Sequence, residues 1–154
     1  MRRMVITAAV ALAALGVAAP ASADVSYAFR FSLDTASDQS TESLATSVAD
    51  SFGTLFPLPT DCAKLPAVGA ECAFGTDREV LVDKTPTGWT FRSLAGHSQG
   101  ADRYVSVAFE RDSTGAALSV HGWGGTSQAA AANLLSGDTY NAWVKFARNI
   151  SGAY

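Results

Sequence analysis

Histidine and cysteine are scarce in this chain of 154 residues, which has only His97 and His121, Cys62 and Cys72. A structural zinc site needs several such ligands at close, characteristic spacings. Neither pair offers them, so no metal and no other cofactor is expected. Lysine is also rare, and charged residues of both signs together make up only 16% of the chain. With no basic cluster, the sequence lacks the electrostatic footprint of a nucleic-acid or anionic-membrane surface. Internal repeats and low-complexity tails are absent. Long apolar runs are absent too beyond the first residues, which excludes a membrane span there.

The one apolar run, Val5 to Ala19, follows Arg2 and Arg3 and precedes the small residues Ala21-Ser22-Ala23. That order is the layout of a secretory signal peptide, with cleavage expected near Ala23-Asp24. The run is shorter and richer in Ala and Gly than a span of roughly 20 strongly apolar residues. Residues 1–23 are therefore read as a leader and 24–154 as a single exported domain. Removing 23 residues leaves 131, with nine Lys and Arg against fourteen Asp and Glu, a formal charge of −5. The Ala-rich leader and the few lysines fit a high-GC bacterial source.

Export leads to an oxidising compartment, where Cys62 and Cys72 have no other partner than each other. A redox pair would want the close C-x-x-C arrangement. One bridge is expected, pinning the Pro-, Gly- and Ala-rich segment 57–75, which otherwise reads as an irregular loop.

Period-two patterning is clearest at Val25, Tyr27, Phe29, Phe31 and Leu33, a strand with one large apolar face. A strand so near the mature N-terminus either pairs in its own sheet or is lent to a partner. Ser37-Asp38-Gln39-Ser40 then starts a helix over about 39–53 carrying Leu44, Val48, Phe52 and Leu55. Pro57 and Pro59 end it. Strands follow around Val80–Val82, from Trp89 to Ala95, over Tyr104–Glu110 and over Ala116–Val120, the last two joined by Asp112-Ser113-Thr114-Gly115. The C-terminal part is helical from a cap at Thr126 or Ser127. Gly137 stops it and Asp138 or Thr139 restarts it. The expected fold is α+β: an antiparallel sheet of about five strands, one N-proximal helix, and a C-terminal helix or helix pair.

Gly96-His97-Ser98-Gln99-Gly100 matches G-x-S-x-G. Locally it resembles the nucleophile elbow of the α/β hydrolases, and the pentapeptide is similar to that of secreted cutinase-like esterases. The resemblance implies Ser98 as nucleophile, His121 as base and Asp112 (or Asp102) as its orienter. That elbow runs into a helix, whereas Arg103 to Arg111 alternates like a strand, so the same residues also read as a hairpin loop. The order of helix and antiparallel strands also resembles that of small secreted ribonucleases. That likeness implies Glu79, Arg92 or Arg103, and His121 around one phosphate.

His121-Gly122-Trp123-Gly124-Gly125 is the most unusual composition in the chain. A Trp between glycines is either an exposed anchor for a partner or a ring folded back on the core. Trp123 is accordingly a candidate binding residue, and Val25, Tyr27 and Phe29 are others if the N-terminal strand is lent. No catalytic set is favoured. The sequence is read as a secreted, non-enzymatic domain that binds another extracellular protein, as an inhibitor or as an adaptor or subunit of a secreted assembly such as a toxin complex. A small serine hydrolase using residues 96–100 and a small ribonuclease are the alternatives.

Overall fold

The computed structural model describes residues 24–35, 39–125 and 127–154. The expected leader at 1–23, the expected helix-starting residues Ser37 and Asp38, and Thr126 lie outside the described residues. The first described strand, β1, spans Tyr27–Leu33. It is followed by α1 (Thr41–Asp50) and a single turn, α2 (Phe52–Leu55). Five strands come next: β2 (Glu71–Phe74), β3 (Asp77–Thr85), β4 (Gly88–Ser93), β5 (Tyr104–Asp112) and β6 (Gly115–Trp123). Helices α3 (Gln128–Ser136) and α4 (Asp138–Ala153) complete the chain. The fold is α+β, as the patterning implies.

The strands form one sheet of six in the order β1-β6-β5-β4-β3-β2, with every neighbouring pair antiparallel. Strands β2 to β6 are a meander, and β1 closes against the last of them. The expected count of about five is corrected to six. The additional strand is β2, inside the segment read as an irregular loop. Four residues, Glu71-Cys72-Ala73-Phe74, pair with Val80 to Asp77 across the turn at Gly75. A run that short, next to Gly69 and Gly75, carries too little periodicity to register as a strand. Its segment is also packed: Leu65, Cys72 and Phe74 are buried.

The helix expected over 39–53 is divided. Ser40 caps α1 through a hydrogen bond from the Ser43 N–H. After Asp50 the backbone turns to meet the disulfide segment: the Gly53 N–H donates to the Ala63 carbonyl at 3.0 Å, and the Leu65 N–H donates to that of Ala49 at 2.7 Å. A Cβ on Gly53 would lie 2.6 Å from the Cys62 carbonyl oxygen, so only glycine admits this approach. At the other end Gly137, with φ at 86°, separates α3 from α4 where the sequence places the break.

Helices cover one face of the sheet, with α1 against β5 and α4 against β1. Between them lies an aromatic core. Phe52, Trp89, Phe91 and Phe74 from one end meet Phe56, Phe146 and Trp143 of the helical layer through stacked and edge-on contacts. β1 pairs with β6 along its whole length, Tyr27 opposite Gly122 to Leu33 opposite Ala116. Its large side chains face the helices, and burying each contributes on the order of 1.5–3 kcal/mol before entropy is subtracted. Among the described residues, no helix lies on the opposite face of the sheet.

Candidate functional site

The residues of G-x-S-x-G lie in the β4–β5 connection, Leu94 to Arg103, and no helix follows them. Gly96 and Gly100 adopt φ values of 85° and 90°, a left-handed backbone that glycine takes without strain. The loop is fastened to β3. Ser98 donates its N–H to Asp77 Oδ1 at 2.7 Å and its hydroxyl to Asp77 Oδ2. His97 is almost enclosed, its side chain 9% exposed. Its Nδ1 accepts from the Gln99 N–H at 3.1 Å, which leaves Nε2–H to donate to Glu79 Oε1 at 3.0 Å. Both ring nitrogens are therefore occupied, and the serine hydroxyl is directed at a carboxylate. This arrangement holds the loop against β3.

The hydrolase set is not brought together. Asp112 ends β5 beside the hairpin turn, and Ser98 lies beyond the opposite end of that strand. At the usual rise per residue, nine residues of strand separate the two by about 27 Å. Asp112 instead accepts from the Thr114 hydroxyl and N–H and pairs with Arg30. The bonds from Thr114, chiefly, hold its carboxyl below the usual carboxylate range. His121 is on β6, opposite Ser106 and Ala28, exposed on the uncovered face.

The ribonuclease set is divided by the sheet itself. Glu79 pairs in register with buried Ser93 on the helix-covered side, whereas His121 is on the other. Arg92 lies 3.6 Å from Asp102. Arg103 is buried and donates to the carbonyls of Gly124 at 2.8 Å and Val25 at 3.1 Å. Burial pulls its guanidinium below the ordinary value. Arg103 therefore serves the backbone, tying the start of β1 to the glycines after β6.

Among the candidate binding residues, Tyr27 is in the core, its ring lying over Gly122 and its hydroxyl accepting from Trp143 Nε1 at 3.3 Å. Burial pushes its phenol up to about 12. Phe29 packs on the same core against Tyr140. Val25 precedes β1, its carbonyl held by Arg103. With β1 paired inside its own sheet, the Tyr27 and Phe29 side chains belong to the fold, while Val25 stands half-buried just before the strand.

Trp123 is placed differently. It stands outside the core, half-buried on the uncovered face. Tyr104, its partner in register on β5, stacks on it with centroids 5.4 Å apart and planes at 13°. His121, two residues back along β6, stacks on the indole at 4.9 Å and 25°. Three rings thus form a ladder across β5 and β6. Beside it is a depression of about 350 Å³ bordered by Ala28, Arg30, Ser106, Glu110, Ser119 and His121. The sequence supplied Trp123 and His121; Tyr104 as their third member depends on the β5–β6 register.

Among the described residues, Asp61, Cys62 and Cys72 are the one group of metal-ligand types in close proximity. The two cysteines are joined in a disulfide, with Cα atoms 5.6 Å apart, so their sulfurs are not thiolate ligands. Also among the described residues, no helix is long and apolar enough to cross a membrane.

No protein-family model matches this chain. No curated protein matches it in sequence. Solved structures do share its fold. CalU16 from Micromonospora echinospora is 14% identical, with a TM-score of 0.58 over 82% of this chain and 76% of that one. Protein MLL2253 from Mesorhizobium loti is 14% identical, with a TM-score of 0.60 over 83% and 95%. Ara h 8.0201 is 9% identical, with a TM-score of 0.58 over 85% and 97%. At these identities the likeness defines the class of fold alone: a six-stranded antiparallel sheet with helices across one face.

Proposed function

We propose that this chain is an exported, non-enzymatic domain, released by cleavage near Ala23-Asp24, that works by binding another extracellular protein. It would act as an inhibitor or as an adaptor or subunit of a secreted assembly. The observation that carries this reading is the Tyr104–Trp123–His121 ladder on the face the helices leave uncovered. Tyr and Trp are the residue types that most often dominate binding energy at protein interfaces, because they bury large area at little entropic cost. A disulfide is compatible with an oxidising exterior. The absence of a basic cluster from the sequence argues against nucleic acid as the partner. The separation of Ser98, His121 and Asp112 supports binding over hydrolysis.

The test is photo-crosslinking. A benzophenone amino acid replaces Ser119 at the edge of the depression, and the protein is returned to the culture medium of its source. One crosslinked protein, competed away by unlabelled wild type and reduced at least tenfold by Trp123→Ala in a variant with native circular dichroism, is the expected result. Capture that Trp123→Ala leaves unchanged, or no competed species at all, overturns the reading.

A further inference from the structure

Among the described residues, the ion pairs on the uncovered face and its borders hold more carboxylates than cations. Arg30 lies 3.4 Å from Glu110 and also meets Asp112. Arg78 lies 3.1 Å from Glu71 and 3.7 Å from Asp61. Arg92 lies 3.6 Å from Asp102. Arg30 and Arg78 each face two carboxylates, the first at the β1–β6–β5 side of the sheet and the second at its β2 edge.

Toward the β1 edge of that face the ladder stops short. Tyr104, Trp123 and His121 stack in succession. Past His121 the positions on β1, β5 and β6 are Ala28, Ala108 and Ser119, side chains too small to add another rung. The depression of about 350 Å³ opens there, with Arg30 and Glu110 on its border. Glu110 meets Arg30 through Oε2 alone.

We infer, resting on the binding function proposed above, that this depression receives a planar cation of the partner: the guanidinium of an arginine in a basic segment. One face of the guanidinium lies on the His121 imidazole as the fourth rung of the ladder. Its N–H edge donates to the Glu110 carboxylate and to the hydroxyl oxygens of Ser106 and Ser119. Arginine suits the site better than lysine because its cation is flat, weakly hydrated and stacks on aromatic rings, whereas an ammonium is compact and strongly hydrated. Beside the depression the two carboxylates Glu110 and Asp112 share the single cation Arg30, and this local excess of negative charge favours the approach of a basic segment.

The experiment is an NMR titration of the ¹⁵N-labelled protein with the peptide acetyl-Gly-Arg-Gly-amide. Peptides with citrulline, lysine or glutamate in place of arginine, and a chitooligosaccharide, are the comparisons. Expected are saturable shifts at Ala28, Ser119 and His121 with the arginine peptide. Citrulline, the neutral isostere, should bind at least tenfold more weakly, as should the arginine peptide on Glu110→Gln. Equal binding of arginine and citrulline, unaltered binding by Glu110→Gln, or tighter binding of the sugar overturns the inference. Its failure is distinct from that of the broader reading. A crosslinked partner lost on Trp123→Ala but retained on Glu110→Gln keeps the protein-binding surface and removes the arginine. Arginine-selective shifts without any crosslinked protein keep the cation site and remove the protein partner.

Discussion

A single hydroxyl shows how far burial alters chemistry in this protein. Tyr27 is enclosed by the core, and the loss of hydration disfavours its phenolate more than the Trp143 hydrogen bond favours it. The folded-state value is raised to about 12 against an ordinary 10. A group whose folded value is raised stabilises the fold fully below its unfolded value. That stabilisation disappears as pH rises from 10 towards 12. Absorbance titration at 295 nm should show one tyrosine ionising only with alkaline unfolding, and Tyr27→Phe should remove that late component. The same variant deletes the bond to Trp143 Nε1, and urea unfolding should register a loss of about 0.5–1.5 kcal/mol. An unchanged titration curve would mean that the phenol is wetter than the structure places it.

Strand β1 is positioned by its fit to β6. The Tyr27 ring lies directly over Gly122, where a Cβ would stand 2.3 Å from a ring carbon. Gly122 does not need glycine for its backbone angle, since it is not among the positive-φ residues. It needs glycine for space. Gly122→Ala should therefore destabilise the domain by about 1–3 kcal/mol through overpacking. In a double-mutant cycle, adding Tyr27→Ala should recover part of that loss, since the two substitutions share one contact. Urea midpoints of the four proteins check this, and strict additivity would sink it. The alternation of Tyr27, Phe29, Phe31 and Leu33 made β1 legible as a strand with one buried face. Whether it was paired within the sheet or lent out was not legible, because the same apolar face serves both arrangements. Strand β2 illustrates the converse. Glu71 to Phe74 has almost no period to read, yet pairing with β3 and the bridge from Phe74 to Thr60 make it an edge strand.

For the molecule as a whole, the disulfide is the fastening between α1 and the sheet's β2 edge. Cys72 is fully buried in β2, while beyond Cys62 the Ala63 carbonyl accepts from the Gly53 N–H and the Leu65 N–H donates to Ala49 of α1. Closing a loop with a sequence separation of 10 is worth about 2.5–3 kcal/mol on the chain-entropy argument. The paired variant Cys62→Ala with Cys72→Ala should unfold at lower urea by that amount while retaining native far-UV circular dichroism. Intact mass before and after reduction should differ by two hydrogens. Two free thiols in the native protein, or an unchanged midpoint, would contradict this.

The sequence by itself determined the local features of this protein. These were the faces of β1, β5 and β6 from their period of two, the helix restart at Gly137, and the pairing of the only two cysteines. Each depends on a few consecutive residues, or on elimination, and needs no knowledge of what lies across the sheet. Tertiary structure decided what stands beside what. Antiparallel register set Tyr104 against Trp123, and so built the ladder from residues 19 positions apart. It brought Asp77 to Ser98 across 21 residues and left His121 on the opposite face of the sheet from Glu79. The physical reason is that a strand's periodicity fixes which way a side chain points, whereas its neighbour across the sheet is fixed by register, a property of two distant segments and the turns that join them.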